Sequence, residues 1–123
     1  MAQLNLSLNI NSSVNPVTGI FNLNNTTNKS VNYDITEVTS QSVSVATGSA
    51  TVLVASSVSS ITYVFVKNTD ANNIVVLKTD GGTSYADVGP GEFAFIPVKG
   101  AVGIEAQASG SACVIEYATF KKV

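Results

Sequence analysis

Leu4, Leu6, Leu8 and Ile10 alternate with Asn5, Ser7, Asn9 and Asn11. A period of two puts the apolar residues on one face of a strand and the amides and hydroxyl on the other, which predicts a half-buried strand. Seven residues at ~3.3 Å each reach about 23 Å. A strand of this kind pairs with its own sheet or with the edge of a neighbouring chain. Asn15-Pro16-Val17-Thr18-Gly19 then reads as a turn, because Pro presets φ and Gly accepts a positive φ. A short strand is predicted around Ile20 to Asn24, followed by a loop over Asn24-Asn25-Thr26-Thr27-Asn28. Alternation returns at Val31, Tyr33 and Ile35, again at Val43 and Val45, and stops at Thr47-Gly48-Ser49. Thr51 to Ala55 predicts another strand, and the Ser-rich run Ser56 to Ser60 a connection.

The second half is denser in β-formers. Strands are predicted over Ile61–Val66, Ile74–Leu77, Ser84–Val88, Glu92–Ile96, Val102–Ala106 and Ala112–Phe120. The unbroken Ile74-Val75-Val76-Leu77 run predicts a strand covered on both faces. Asn68–Asn73, Asp80-Gly81-Gly82 and Ser109-Gly110-Ser111 supply turns, and Gly89-Pro90-Gly91 reads as a tight hairpin. Pro97 ends its strand or places it at an edge. About ten short strands with turn signals every 8–12 residues predict an all-β chain, an antiparallel β-sandwich of jelly-roll type. The 123 residues are read as one domain, with 1–12 as a candidate extended strand or arm. Division at the serine run would leave about 60 residues per half, too few for a robust core.

Composition narrows the function. Charged residues make up 11% of the chain, so the polar surface is built from Asn, Ser, Thr and Gly. All six basic residues are Lys, dispersed along the chain and outnumbered by eight carboxylates. That arrangement makes no basic stripe to neutralise phosphates, so no nucleic-acid partner is expected. No apolar run is long enough to span a bilayer, and the start of the chain lacks the pattern of a signal peptide.

Catalytic chemistry finds little support. The chain has no His, which removes the usual general base and the usual triads. Paired carboxylates of glycosidase type could be drawn from Asp34, Glu37, Asp70, Asp80, Asp87, Glu92, Glu105 and Glu116. Yet Asp70 and Asp80 sit in turn sequences, Glu105 and Glu116 fall in polar phases of strands, and there is no Trp platform for a sugar. Asp70 opens no calcium loop of EF-hand type, because Val75 and Gly81 stand where Gly and Glu are required. Gly89-Pro90-Gly91 lacks the spacing of a phosphate loop. Cys113, the single cysteine, lies in a buried-strand pattern and reads as a small core residue. Phe93 with Phe95, and Tyr63 with Phe65, form same-face pairs that default to core packing. No enzyme, cofactor or metal is expected.

The segments Tyr63-Val64-Phe65-Val66-Lys67-Asn68, Gly89-Pro90-Gly91-Glu92-Phe93-Ala94-Phe95-Ile96-Pro97 and Cys113-Val114-Ile115-Glu116-Tyr117 together resemble small β-sandwich virion proteins of tailed bacteriophages, of the capsid-decoration and fibre type. The resemblance spans roughly residues 61–120. It implies a non-enzymatic subunit, often a homotrimer, that decorates or cements a phage head and contacts a major capsid protein or another virion protein. The implied location is the virion, after synthesis in the host cytoplasm. A tail-fibre or baseplate component and a carbohydrate-binding module are the alternatives. The residues expected at an interface are Leu4, Leu6, Leu8 and Ile10.

Overall fold

Inward-pointing side chains on two sheets explain the architecture. In a computed structural model that describes residues 2–10 and 25–123, nine strands are present: β1 (Ala2–Ile10), β2 (Asn25–Val45), β3 (Thr51–Val54), β4 (Thr62–Asn68), β5 (Ile74–Lys78), β6 (Ser84–Val88), β7 (Phe93–Val98), β8 (Ile104–Ser109) and β9 (Cys113–Lys122). Every pairing is antiparallel. One sheet has the order β1-β2-β9-β4-β7, and the other β3-β8-β5-β6.

The core lies between the sheets. Val64 and Val66 of β4, Cys113, Ile115 and Tyr117 of β9, and Val45 of β2 point inward from the first sheet. They meet Val75 and Leu77 of β5, Ile104, Ala106 and Ala108 of β8, Val88 of β6 and Val54 of β3. Aliphatic, mostly β-branched residues and alanines on these faces fill the space between the two sheets. Setting β1 aside, the orders β2-β9-β4-β7 and β3-β8-β5-β6 make a jelly roll, in which most connections cross between the sheets. The chain is therefore an all-β sandwich, as its turn spacing predicts.

Several local expectations change. The predicted turn over Asn15–Gly19 and the strand around Ile20–Asn24 lie outside the described residues. Asn25–Asn28, read as loop, are the first residues of β2 and pair with β1 through Ile10↔Asn25, Asn9↔Thr26, Leu8↔Thr27 and Ser7↔Asn28. Asn25 and Asn28 disfavour a strand locally, but the β-branched Thr26 and Thr27 and pairing with a partner strand outweigh that preference. The separate strands predicted around Val31 and Val43 are one strand of 21 residues. It changes partner midway, from β1 to β9, with a register irregularity between Tyr33 and Val38. The Asp34 carboxylate marks that break: it accepts hydrogen bonds from the Thr36 hydroxyl (2.6 Å) and the Thr36 N–H (2.9 Å). These bonds, hydroxyl first, hold the Asp34 carboxyl below the usual carboxylate range.

Ile74–Leu77 is not covered on both faces. Val75 and Leu77 are buried while Ile74 is 39% exposed, because β5 is covered only on the side facing the other sheet. Gly89-Pro90-Gly91 does turn the chain, yet it is not a hairpin, since β6 and β7 belong to different sheets. The Glu92 N–H donates to the Gly89 carbonyl (3.0 Å), and the Glu92 carboxylate accepts from the Gly89 N–H (2.7 Å). Pro97 sits inside β7, an edge strand, where a missing N–H costs no ladder bond on the open side.

Candidate docking face

The face of the first sheet that points away from the core is also apolar. Along β4 the inward residues are Thr62, Val64, Val66 and Asn68, so Tyr63, Phe65 and Lys67 point outward. The β4–β7 register sets Phe65 opposite Phe95 and Lys67 opposite Phe93. Directly opposed residues share a face, so Phe65, Phe93, Phe95 and Tyr63 all project outward. Tyr63 stacks on Phe95 at 5.9 Å between ring centroids, and Phe65 lies 6.2 Å from Phe93. Core packing, the expected role of these pairs, does not describe them. Phe93 is 63% exposed, while Tyr63 is buried by neighbouring rings rather than by the second sheet.

The aromatic row continues across β9 onto β2. Phe120 lies opposite Tyr63 in one register and Val38 in the other, and Tyr33 meets it edge-on at 5.3 Å. Tyr33 in turn lies opposite Ala2 of β1. Counting along β1 in steps of two gives Leu4 opposite Val31, Leu6 opposite Lys29, and Leu8 opposite Thr27. The four residues singled out from the alternation, Leu4, Leu6, Leu8 and Ile10, therefore lie on the same face of the sheet as the aromatics. Leu4 and Leu6 are half-buried, Leu8 is 50% exposed and Ile10 41% exposed.

The sheet curls, and this brings its two edge strands to one groove. A hollow of about 550 Å³ is lined by Leu6, Leu8 and Lys29 from the β1–β2 arm and by Phe65, Phe93 and Phe95 from β4 and β7, with Asn5 and Ser7 also bordering it. The arm's opposite face is polar throughout, with Gln3, Asn5, Ser7 and Asn9 exposed; the Ser30 hydroxyl donates to the Asn5 side-chain carbonyl at 2.6 Å. The alternation found the aliphatic wall of this groove. It did not find the aromatic wall, because the i, i+2 spacing of Phe93 and Phe95 shows a shared face but not which face.

A smaller hollow, about 290 Å³, opens at one end of the sandwich between β2, β3 and β9. Thr36, Thr62 and Thr119 contribute hydroxyl-bearing side chains, and Lys121 faces Glu37 at 3.9 Å. Both partners of that ion pair are substantially exposed, so it contributes little to stability.

Two of the carboxylates considered for paired acid–base work are engaged with backbone N–H groups at turns. Asp70 Oδ1 accepts from the N–H groups of Asn72 (2.8 Å) and Asn73 (2.7 Å), and these bonds depress its pKa. Asp80 accepts from the Ser56 N–H at 2.7 Å, tying the serine-rich connection to the β5–β6 turn. Among the described residues no three of the His, Cys, Asp and Glu side chains gather as a metal site would require. Cys113 is 1% exposed, and burial raises its thiol pKa, as expected of an inert core cysteine. No protein-family model matches this chain, and no curated protein matches it.

Proposed function

We propose that this chain is a non-enzymatic structural subunit that docks into a larger particle through the outward face of its five-stranded sheet. The observation that carries the reading is the open apolar groove. The exposures of Phe93 and Phe95 sum to one whole phenylalanine, about 200 Å². Leu8 and Ile10 together expose nearly one whole aliphatic side chain, about 100 Å² more if full burial is worth ~1.5–3 kcal/mol at ~25 cal/mol per Å². A patch of about 300 Å² reaches the lower end of the size that on soluble chains is often functional. Covering it contributes about 7 kcal/mol gross at ~25 cal/mol per Å², from which association costs are subtracted.

The particle we propose is a tailed-phage virion, with the chain decorating or cementing the head against a major capsid protein. Support comes from the resemblance over residues 61–120 and from the jelly-roll topology, an architecture that also serves in capsids and lectins. A tail-fibre or baseplate position would use the same face. The direct test is gradient sedimentation of particles released from cells that produce the chain, probed with an antibody to it. Co-sedimentation at a fixed ratio to the main shell protein is expected. Particles that sediment without the chain, while it stays in the soluble fraction, would overturn the reading. A sugar-binding role draws on one specific observation, the exposed Phe93 ring; it requires saturable glycan binding that Phe93→Ala abolishes.

A further inference from the structure

We infer that the open edge of β1 is the site where a second copy of this chain docks, with two β1 strands pairing antiparallel around Leu6. The inference rests on the structural-subunit reading and names the first partner of that face.

Edge strands in soluble proteins are normally blunted by Lys, Pro, bulges or shortness, because an open row of N–H and C=O groups recruits other strands. β1 has none of these devices. It spans nine residues, its pairing with β2 runs without a register break, and Ala2–Ile10 contains no charged residue and no proline. β7, the other edge of the sheet, carries Pro97. Among the described residues the undefended edge is thus β1, and it borders the apolar groove.

The strand is complementary to itself. Full-length antiparallel pairing of two nine-residue strands is centred on Leu6, which sets Leu4 opposite Leu8, Asn5 opposite Ser7, and Leu6 opposite its own copy. Residues opposite each other share a face, so the leucines of both copies extend one apolar row and the amides one polar row. A slip by a single residue would set each Leu against Asn or Ser and put leucines on the polar side. With no charge in β1, bringing two copies together meets no like-charge pair along the strand. The second copy's leucine row then lies on the groove side, toward Phe93 and Phe95, where this chain's own arm leaves apolar surface exposed. A strand from an unrelated protein would need the same alternation over the same length. A second copy supplies it by construction.

The test uses the full chain and three variants. Light scattering across a dilution series is expected to give masses in multiples of twice the chain's 12.7 kDa. Mild oxidation of Leu6→Cys is expected to yield a covalent dimer, whereas Thr83→Cys, in an exposed turn on the other sheet, stays uncoupled. Cys113 is silent in this assay because it is 1% exposed. Leu6→Lys sets two ammonium groups opposite each other and is expected to return the mass to 12.7 kDa with an unchanged circular dichroism spectrum. A 12.7 kDa mass for the full chain up to its solubility limit overturns the inference. So does an oligomer in which Leu6→Cys fails to cross-link. Co-sedimentation with particles alongside a monomeric free chain would sink this pairing while leaving the structural-subunit reading intact.

Discussion

Asn68 offers a sharp test of how the sandwich is closed at one end. It is fully buried, at the end of β4, and its side chain serves three elements. The amide donates to the Asn73 carbonyl (2.8 Å) and the Val88 carbonyl (3.0 Å), and its oxygen accepts from the Asp70 N–H (3.0 Å). The turn before β5, the end of β6 and the end of β4 are joined through one side chain. Asn68→Ala removes all three bonds. At a net ~1 kcal/mol each they account for about 3 kcal/mol, and the carbonyl of buried Val88 left without a partner adds about 1–2. The expected loss is about 4–5 kcal/mol, in the upper tail of single substitutions. With a urea slope of ~1–2 kcal/mol/M for a domain of this size, the midpoint falls by about 2–5 M. Thr69→Ala, which removes an exposed hydroxyl bond to Val114, is the control and is expected to cost under about 1 kcal/mol. Asn68→Asp adds a pH signature. It aims a carboxylate at two carbonyl oxygens, which raises the folded-state pKa above the unfolded one. The penalty is absent below the ordinary Asp value of about 4 and grows with pH until the folded-state value is passed. A midpoint shift under about 0.5 M for Asn68→Ala would refute the reasoning, because it would mean the three acceptors and donors find water or other partners at no cost.

Three further outcomes are expected. Gly103 has φ +73°, and a Cβ there would lie 2.5 Å from the Val54 carbonyl oxygen, so Gly103→Ala costs the ~1–2 kcal/mol of a left-handed alanine plus a backbone clash; thermal denaturation measures it. Native Cys113 is expected to react with a thiol reagent at least ~1000-fold more slowly than the urea-unfolded chain, since reaction requires opening of the core; comparable rates would show that β9 is not packed as described. Asp70 has a depressed pKa, so its contribution to stability is present above the ordinary Asp value and is lost as pH falls from about 4 through the lower folded-state value; melting temperatures of the wild type and Asp70→Asn converge toward pH 2 if this holds.

The alternation of β1, the placement of Cys113 and the turn positions of Asp70 and Asp80 were legible along the chain, and Pro97 left two readings, a strand end or an edge strand, of which the structure shows the edge. Most follow from local chemistry: a period of two, a φ-restricted ring, or, for Asp70, a carboxylate two or three residues from the N–H groups it accepts from; Asp80 sits in its turn but accepts from the distant Ser56 N–H. Turn spacing was enough to indicate a sandwich. It was not enough to distinguish a hairpin from a crossing, so Gly89-Pro90-Gly91 reads the same whether β7 joins β6 or the opposite sheet.

What the linear pattern determined, then, is which residues share a face and where the chain must turn, because both depend on neighbours one to four positions away. Only the tertiary structure decided which face is inside. Val64 and Val66 or Tyr63 and Phe65 could each have formed the core side of β4; the larger aromatics ended outside, because the β4–β7 register aligns Phe65 with Phe95 while the valines meet the second sheet. The joining of two short patterns into the 21-residue β2, and the groove where β1 approaches β7, also belong to that level. They arise from pairing and sheet curvature between residues far apart in the chain, which no local period encodes.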